Sequence, residues 1–305
     1  MSNPDFDFEK LIQPIDANTF LTTYWEQKPF VLIREETDYY TSLFSRKDID
    51  NIICFSNLIP SDIEIDSLNN SKDFKLSDSS PFPNINYLYK AYSQGNTLLI
   101  HELQKHCKPI ATFCRHLEEF LNHTVNANLY LTPENSQAYS THFDLNDVFI
   151  LQLEGSKVWR IYDSFLDLPI AAHVQSIPKE ILDASPREVY LKAGDLLYLP
   201  RGCVHEVLTH ESYSLHLTIG IDVFKWSHLI TEAIASVTEQ NVNFRKALPV
   251  GFLHRSEAQA SIKDQLAQLL QVLADSANHE DALEGLANRF IKPPLKIGEK
   301  LFKDS

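Results

Sequence analysis

Cysteine is scarce in this chain. Four residues in 305 (Cys54, Cys107, Cys114 and Cys203) include no CxxC pair, so the spacing offers neither a disulfide framework nor a cysteine zinc cluster. No apolar run approaches membrane-spanning length. The acidic N-terminus lacks the apolar stretch of a secretory signal. These absences predict reduced thiols and a cytoplasmic protein with no membrane partner. There is no internal repeat or low-complexity tract. Basic residues are outnumbered, 27 against 41 acidic ones, for a net charge of −14. Gripping a nucleic-acid backbone needs a basic face, so direct nucleic-acid binding is not expected. The same charge can steer a Lys/Arg-rich protein partner, and it also serves plain solubility.

What is present supports a large core. Hydrophobic residues make up 44% of the chain, and its length holds one large domain with a smaller one. Asp16 caps a short helix carrying Phe20, Leu21, Tyr24 and Trp25, and Pro29 follows it. Phe30 to Ile33 reads as a strand, and Ser45 caps a helix with Ile49, Ile52 and Ile53 on one face. Residues 56–96 read as loops with a hairpin around Ile63-Glu-Ile65 and the polar stretch Ser67 to Ser80. Pro109 opens a helix with Ile110, Phe113, Leu117, Phe120 and Leu121 at helical spacing. From Val125 the period is two: Asn126, Asn128 and Tyr130 share one side of a strand. Val148 to Glu154 is predicted to turn at Gly155 and return as a hairpin through Lys157 to Tyr162. Further short strands are expected over Glu188 to Leu191, Asp195 to Leu199, His205 to Leu208 and Tyr213 to Ile221. Many short strands with regular turns indicate a barrel or jelly roll.

Beyond Asp222 the pattern is helical, so a boundary falls near residues 222–224. Trp226, Ile230, Ile234 and Val237 form one stripe. Ser256-Glu-Ala-Gln259 reads as a capping box. Leu283, Leu286 and Phe290 suggest a third helix, stopped by Pro293-Pro294.

Two stretches carry chemistry. His142-Phe143-Asp144 places an imidazole and a carboxylate two residues apart, on one side if the segment is a strand. The second stretch, Gly194-x5-Pro200-x-Gly202-x2-His205, holds four residue types at fixed spacing. Its glycines permit turn conformations closed to other residues, and His205 opens the next strand. Two imidazoles and a carboxylate on one face leave half of an octahedral metal open, the arrangement of non-haem Fe(II) oxygenases. Taken alone, HxD also fits an exposed histidine beside a turn, and a hairpin with an incidental histidine explains the second stretch. In Ser214-Leu-His216-Leu-Thr218, alternation sends Ser214, His216 and Thr218 to one face, where His216 is either a pocket residue or a hydrogen-bonded core histidine.

The second stretch is similar to the second cupin motif, with Thr209 where many cupins carry Asn. Asn128-Leu-Tyr-Leu-Thr-Pro133, His142-x-Asp144 and Val148 to Tyr162 together resemble the JmjC-type ribosomal oxygenases, Fe(II)/2-oxoglutarate protein hydroxylases of the cupin superfamily. The opening Tyr24-Trp25-Glu-Gln-Lys-Pro-Phe30 fits too, and the likeness spans about residues 15–255. The resemblance implies a mainly β double-stranded β-helix (cupin/JmjC jelly roll) with α elaboration over 1–222 and a helical, dimer-forming region over 223–305. It implies Fe(II) on His142, Asp144 and His205, with dioxygen and 2-oxoglutarate as co-reactants. It assigns Lys157, Asn128, Thr218 and His216 to the cosubstrate, and Tyr130 and Ser214 to the substrate pocket. The implied activity is hydroxylation of a protein side chain, on a basic, ribosomal-type partner. Two other readings stay open, a 2-oxoglutarate oxygenase of small molecules or free amino acids and a non-oxygenase metal-binding cupin. The family's winged-helix domain has no counterpart in the fifty or so residues after Leu253.

Overall fold

The structure, a computed structural model, describes residues 6–56, 58–68, 84–173 and 176–290. Most of the polar stretch ending at Ser80, and Pro293-Pro294, lie outside the described residues. The chain divides into two compact units, Met1–Val223 and Phe224–Ser305.

The first unit carries strands β1 (Phe30–Leu32), β2 (Ile63–Asp66), β3 (Thr97–Ile100), β4 (Thr124–Thr132), β5 (Asp147–Ile161), β6 (Arg187–Lys192), β7 (Leu196–Leu199), β8 (His205–Leu208) and β9 (Ser214–Asp222). All pairings are antiparallel, and the large sheet runs β1-β7-β5-β9-β4-β3-β2. The far half of β5 leaves that sheet to pair with β6 and β8. Two facing sheets joined by one long strand make the expected jelly roll. Helices α1 (Phe8–Ile12), α2 (Ala17–Thr23), α3 (Arg46–Phe55), α4 (Ile85–Ser93) and α5 (Lys108–Leu121) belong to this unit, with the single turn α6 (Lys179–Leu182) in the long connection before β6.

Strand β5 corrects the sequence expectation. Residues 147–161 form one continuous strand, not a hairpin. Gly155 sits at φ +65°, and the register with β9 slips between Gln152 and Glu154. A Cβ on Gly155 would fall 1.8 Å from the Tyr213 carbonyl oxygen, so only glycine fits this bulge. The strand bends there and changes partners. Its first half is apolar on both faces because both are covered. Phe149 and Leu151 pack with Phe8, Phe20 and Tyr198 in the helix-side core, while Val148 and Ile150 face Trp159, Ile161 and Leu191 inside the barrel. Each such side chain, fully buried, stabilises the fold by roughly 1.5–3 kcal/mol.

Local signals hold where the chemistry is simple. Asp16 accepts from the Thr19 amide at 2.9 Å and starts α2. Asp48 accepts from the Ser45 amide at 2.8 Å and starts α3. Within the 56–96 stretch expected as loops with a hairpin, 85–93 form helix α4, capped by Asn84, and the strand β3 that follows it was not expected. Leu88 and Ala91 are buried on α4, and a run as short as Thr97–Ile100 carries too little periodicity to be read alone.

The second unit contains α7 (Trp226–Gln240), α8 (Ser256–Ser276) and α9 (His279–Phe290). Arg289 pairs with Glu232 at 2.6 Å, Ser236 donates to Asp281 at 3.1 Å, and Val237 and Ala282 are buried between α7 and α9. The capping box is not formed: Ser256 is already helical, Arg255 holds the cap position, and the Gln259 side chain donates instead to the Leu253 carbonyl at 3.2 Å. The α7 stripe faces mostly outward, with Trp226 82% and Ile230 54% exposed.

Candidate metal centre

His205 is the first residue of β8, and the backbone amides of His205 and His142 donate to each other's carbonyls at 2.7 and 2.9 Å. This reciprocal pair brings the two imidazoles to 4.4 Å between ring centroids. Nδ1 of His142 lies 2.8 Å from the Ser140 carbonyl, and Nδ1 of His205 lies 3.0 Å from the Cys203 carbonyl. Each Nδ1 therefore carries the proton and each Nε2 keeps its lone pair. Asp144 lies outside any strand. The Gly202 amide donates to its carbonyl at 2.9 Å, and Asp144 Oδ2 stands 3.7 Å from His205 Nε2. The three ligand atoms fall within 4.8 Å of one another. The expected convergence is present, but its cause differs from strand alternation. His142 is held by β8 and Asp144 by the turn after Pro200.

The donor set fits a divalent first-row metal. Two neutral imidazoles and one carboxylate on one side match the facial arrangement that suits Fe(II) and leaves open positions. Burial pushes the His205 pKa down, against the pull of the neighbouring Asp144 carboxylate, so the ring is held neutral, as a ligand must be.

The triad opens into a cavity of about 360 Å³. Asn128, Tyr130, Lys157, His216 and Thr218 all line it; Ser214 does not. Alternation places Ser214 on the right face of β9, but it lies buried at the end of the strand, where Gln152 donates to its hydroxyl at 2.9 Å. Lys157 is 4% exposed. Its ammonium donates to Thr132 Oγ1 at 3.0 Å, and no carboxylate pairs with it among the described residues. Burial alone pushes its pKa down to about 7. His216 is held well below the usual imidazole range by burial and then by Lys157. It stacks on Tyr130 at 4.7 Å, and its Nδ1 finds no hydrogen-bond partner among the described residues.

Sequence reasoning passed over three wall residues. Trp159 packs 5.6 Å from the His205 ring and 5.8 Å from His216, and it also lines the cavity. Tyr139 meets His142 edge-on at 5.9 Å and donates to Glu64 at 2.9 Å, whose other oxygen meets His101 at 3.0 Å. Asn126 is the third. Its side of β4 was legible, but its reach into the cavity was not.

A buried network fixes the turn that carries Asp144. Arg201 bonds Asp147 at 2.7 Å and Glu26 at 2.5 Å, and Tyr198 donates to the other Asp147 oxygen at 2.7 Å. Asp147 is fully buried, and burial raises its pKa against the Tyr198 bond and the Arg201 charge. Arg201→Ala leaves that carboxylate without its counter-charge, with only the Tyr198 hydroxyl still bonded to it among the described residues. It is expected to cost about 3–5 kcal/mol, read as a fall in the urea midpoint at unchanged m-value. A midpoint near that of the parent protein would show that Asp147 is stabilised without Arg201.

Jelly roll, facial triad and lysine-floored cavity together define a JmjC-type member of the cupin superfamily, and the JmjC-domain family profile matches residues 99–229. Within that class the chain is similar to ribosomal oxygenases. It is 32% identical to ribosomal oxygenase 2 of Mus musculus over 97% of this chain and 66% of that protein. It is 29% identical to the bifunctional lysine-specific demethylase and histidyl-hydroxylase NO66 of Aedes aegypti over 94% of this chain and 48% of that protein. The chain thus spans about half to two-thirds of the length of these relatives. The fold is also that of the Escherichia coli ribosomal oxygenase YcfD, solved with cobalt and 2-oxoglutarate (TM-score 0.58, 19% identity, 91% of this chain and 71% of that one).

Proposed function

We propose that this chain is an Fe(II)- and 2-oxoglutarate-dependent oxygenase that hydroxylates a side chain of a protein substrate. The observation that carries the reading is a pair of features in one cavity: three converging metal-ligand atoms and a buried lysine that no carboxylate pairs among the described residues. His142 and His205 would hold the metal through Nε2, and Asp144 through its carboxylate. Lys157, steadied by Thr132, would neutralise the far carboxylate of 2-oxoglutarate, flanked by Asn128, Tyr130, His216 and Thr218. When bound, iron, 2-oxoglutarate and dioxygen supply the oxidising power for C–H hydroxylation, with succinate and CO2 as co-products. The chain itself supplies orientation and a dry wall: Trp159, Val148, Ile150 and Val207 line the cavity between the two polar ends. The relatives' names and the cobalt and 2-oxoglutarate complex of YcfD support this assignment.

The net charge of −14 suits a basic protein partner in the cytoplasm. The exposed Trp226 and Ile230 on α7, and Leu266 and Leu270 on α8, suit a homodimer through the helical unit. No helix among the described residues is long and apolar enough to cross a membrane. The test is succinate formation by the purified chain. Production should require Fe(II) and stop with a chelator, and protein from an extract should gain one oxygen by mass spectrometry. Succinate formation indifferent to chelation would sink the metal assignment.

A further inference from the structure

We infer that Glu206, on the outer face of the barrel wall, is a positioning residue for the metal centre: through Thr141 it fixes where the His142 imidazole stands. The inference deepens the metal-centre reading above and rests on it.

The two imidazoles are not held equally. His205 opens a strand, is 3% exposed and has the Trp159 ring beside it. His142 is half-buried and lies outside the strands, in a segment joined to β8 by one bridge, between residues 142 and 205. Its Nδ1 bond to the Ser140 carbonyl turns the ring. Both partners of that bond sit on the same short segment, so it sets orientation and not place. A functional side chain has to be held to within about 0.5 Å, and that needs a tie to a rigid element.

Glu206 provides such a tie. It stands between His205 and Val207, which both line the cavity, so alternation turns its side chain to the opposite face. The carboxylate is nonetheless only 16% exposed. Its Oε1 accepts from Arg160 Nη1 and from the Tyr162 hydroxyl, both at 3.1 Å. Arg160, opposite Glu206 in the β5–β8 register, is held in turn by Glu188 of β6 at 2.8 Å. The other oxygen, Oε2, accepts from the Thr141 hydroxyl at 3.0 Å. One side of the carboxylate is thus tied to the sheet, and the other reaches the residue beside His142. Tyr139 and Thr141 flank Ser140, and Tyr139 donates to Glu64 on β2. The carbonyl that orients His142 therefore sits between two side-chain ties to separate strands.

An ordinary cross-strand ion pair on an outer sheet face stabilises a fold by about 1 kcal/mol or less. A role confined to that would show in stability and leave metal affinity alone. A positioning role does the reverse, because an outer partner that orients a ligand controls how tightly the ion is held.

Co(II) binding to the full chain is measured by calorimetry, with the visible spectrum of the bound ion recorded, beside urea unfolding of the metal-free proteins. Thr141→Val keeps the shape and removes the donor. It should raise the Co(II) Kd about tenfold and alter the Co(II) absorption, while the urea midpoint stays near that of the parent. Thr141→Ser returns the donor and should restore both affinity and spectrum. Glu206→Gln removes the charge but keeps a bonding partner for Thr141, and its affinity should stay close to the parent's. Glu206→Ala should weaken binding as Thr141→Val does, and the double variant should weaken it no further, since both changes break one bond. Parent-like Co(II) binding by Thr141→Val, no rescue by Thr141→Ser, a loss in Glu206→Gln as large as in Glu206→Ala, or additive losses in the double variant would overturn the inference. A parent protein that binds no Co(II) would instead overturn the metal-centre reading beneath it.

Discussion

Lys157→Met is expected to abolish 2-oxoglutarate binding while making the protein more stable. The two effects have one cause. An ammonium placed in the barrel without a carboxylate costs free energy, and that cost appears as a pKa pushed from 10.5 down to about 7. In the unfolded chain the amine titrates near its ordinary value. Between about pH 7 and 10.5 the unfolded state therefore holds a proton that the folded state has lost, and stability rises with pH across that window. Below about pH 7 the folded state must carry the buried charge, and the full penalty applies, of order 5 kcal/mol. Methionine fills a similar volume with no charge, so the variant should gain on the order of 2–4 kcal/mol near pH 7. Thr132 keeps its contact with Thr97 Oγ1 at 3.2 Å, so its hydroxyl is not orphaned by the change. The same titration predicts how affinity responds to pH. The dianion needs the charged amine, so the 2-oxoglutarate Kd should rise by up to about tenfold per pH unit above 7 in the parent protein. Calorimetry from pH 6.5 to 9, beside thermal melts of both proteins, tests the account. A Lys157→Met protein that melts lower, or that still binds 2-oxoglutarate tightly, contradicts it.

The parts of this site written in local pattern could be read before any coordinates. The alternation of β4 separates Asn126, Asn128 and Tyr130 from the buried Val125, Ala127 and Leu129 because one face meets the core and the other a cavity. His205 opens β8 as its spacing from Pro200 and Gly202 predicts, and both Gly194 and Gly202 adopt positive φ. What was not legible depends on partners far away in sequence. Gly155 reads as a hairpin turn because a two-sided bulge and a reversal use the same residue types, and only the pairing of β6 and β8 tells them apart. Alternation gives the face of Ser214 but not its depth, so it was placed in a pocket it does not line. Alternation gives the face of Asn126, yet the room its side chain occupies is left by Gly220, a glycine almost a hundred positions away that no local window connects to it.

Asp144→Ala should remove iron-dependent 2-oxoglutarate turnover altogether while leaving the fold intact. The two halves of that expectation come from different features of the residue. Its carboxylate is half-exposed, and the buried ring nearest to it, His205 at 3.7 Å, keeps its own bond to the Cys203 carbonyl, so its loss should move the melting temperature little. What anchors the loop is its main chain, whose carbonyl receives the Gly202 amide at 2.9 Å, and alanine keeps that bond. The ligand set, by contrast, loses its only anion. Two neutral imidazoles would remain, held in place by their Ser140 and Cys203 carbonyl bonds, but with no negative charge to offset a divalent ion. Metal affinity should fall steeply, measured with Co(II) or Mn(II) so that the readout does not depend on turnover. An Asp144→Ala protein that folds, binds metal as the parent does and still produces succinate with iron would show that the carboxylate is not a ligand. The three converging atoms would then be a surface coincidence beside a cavity built for something else.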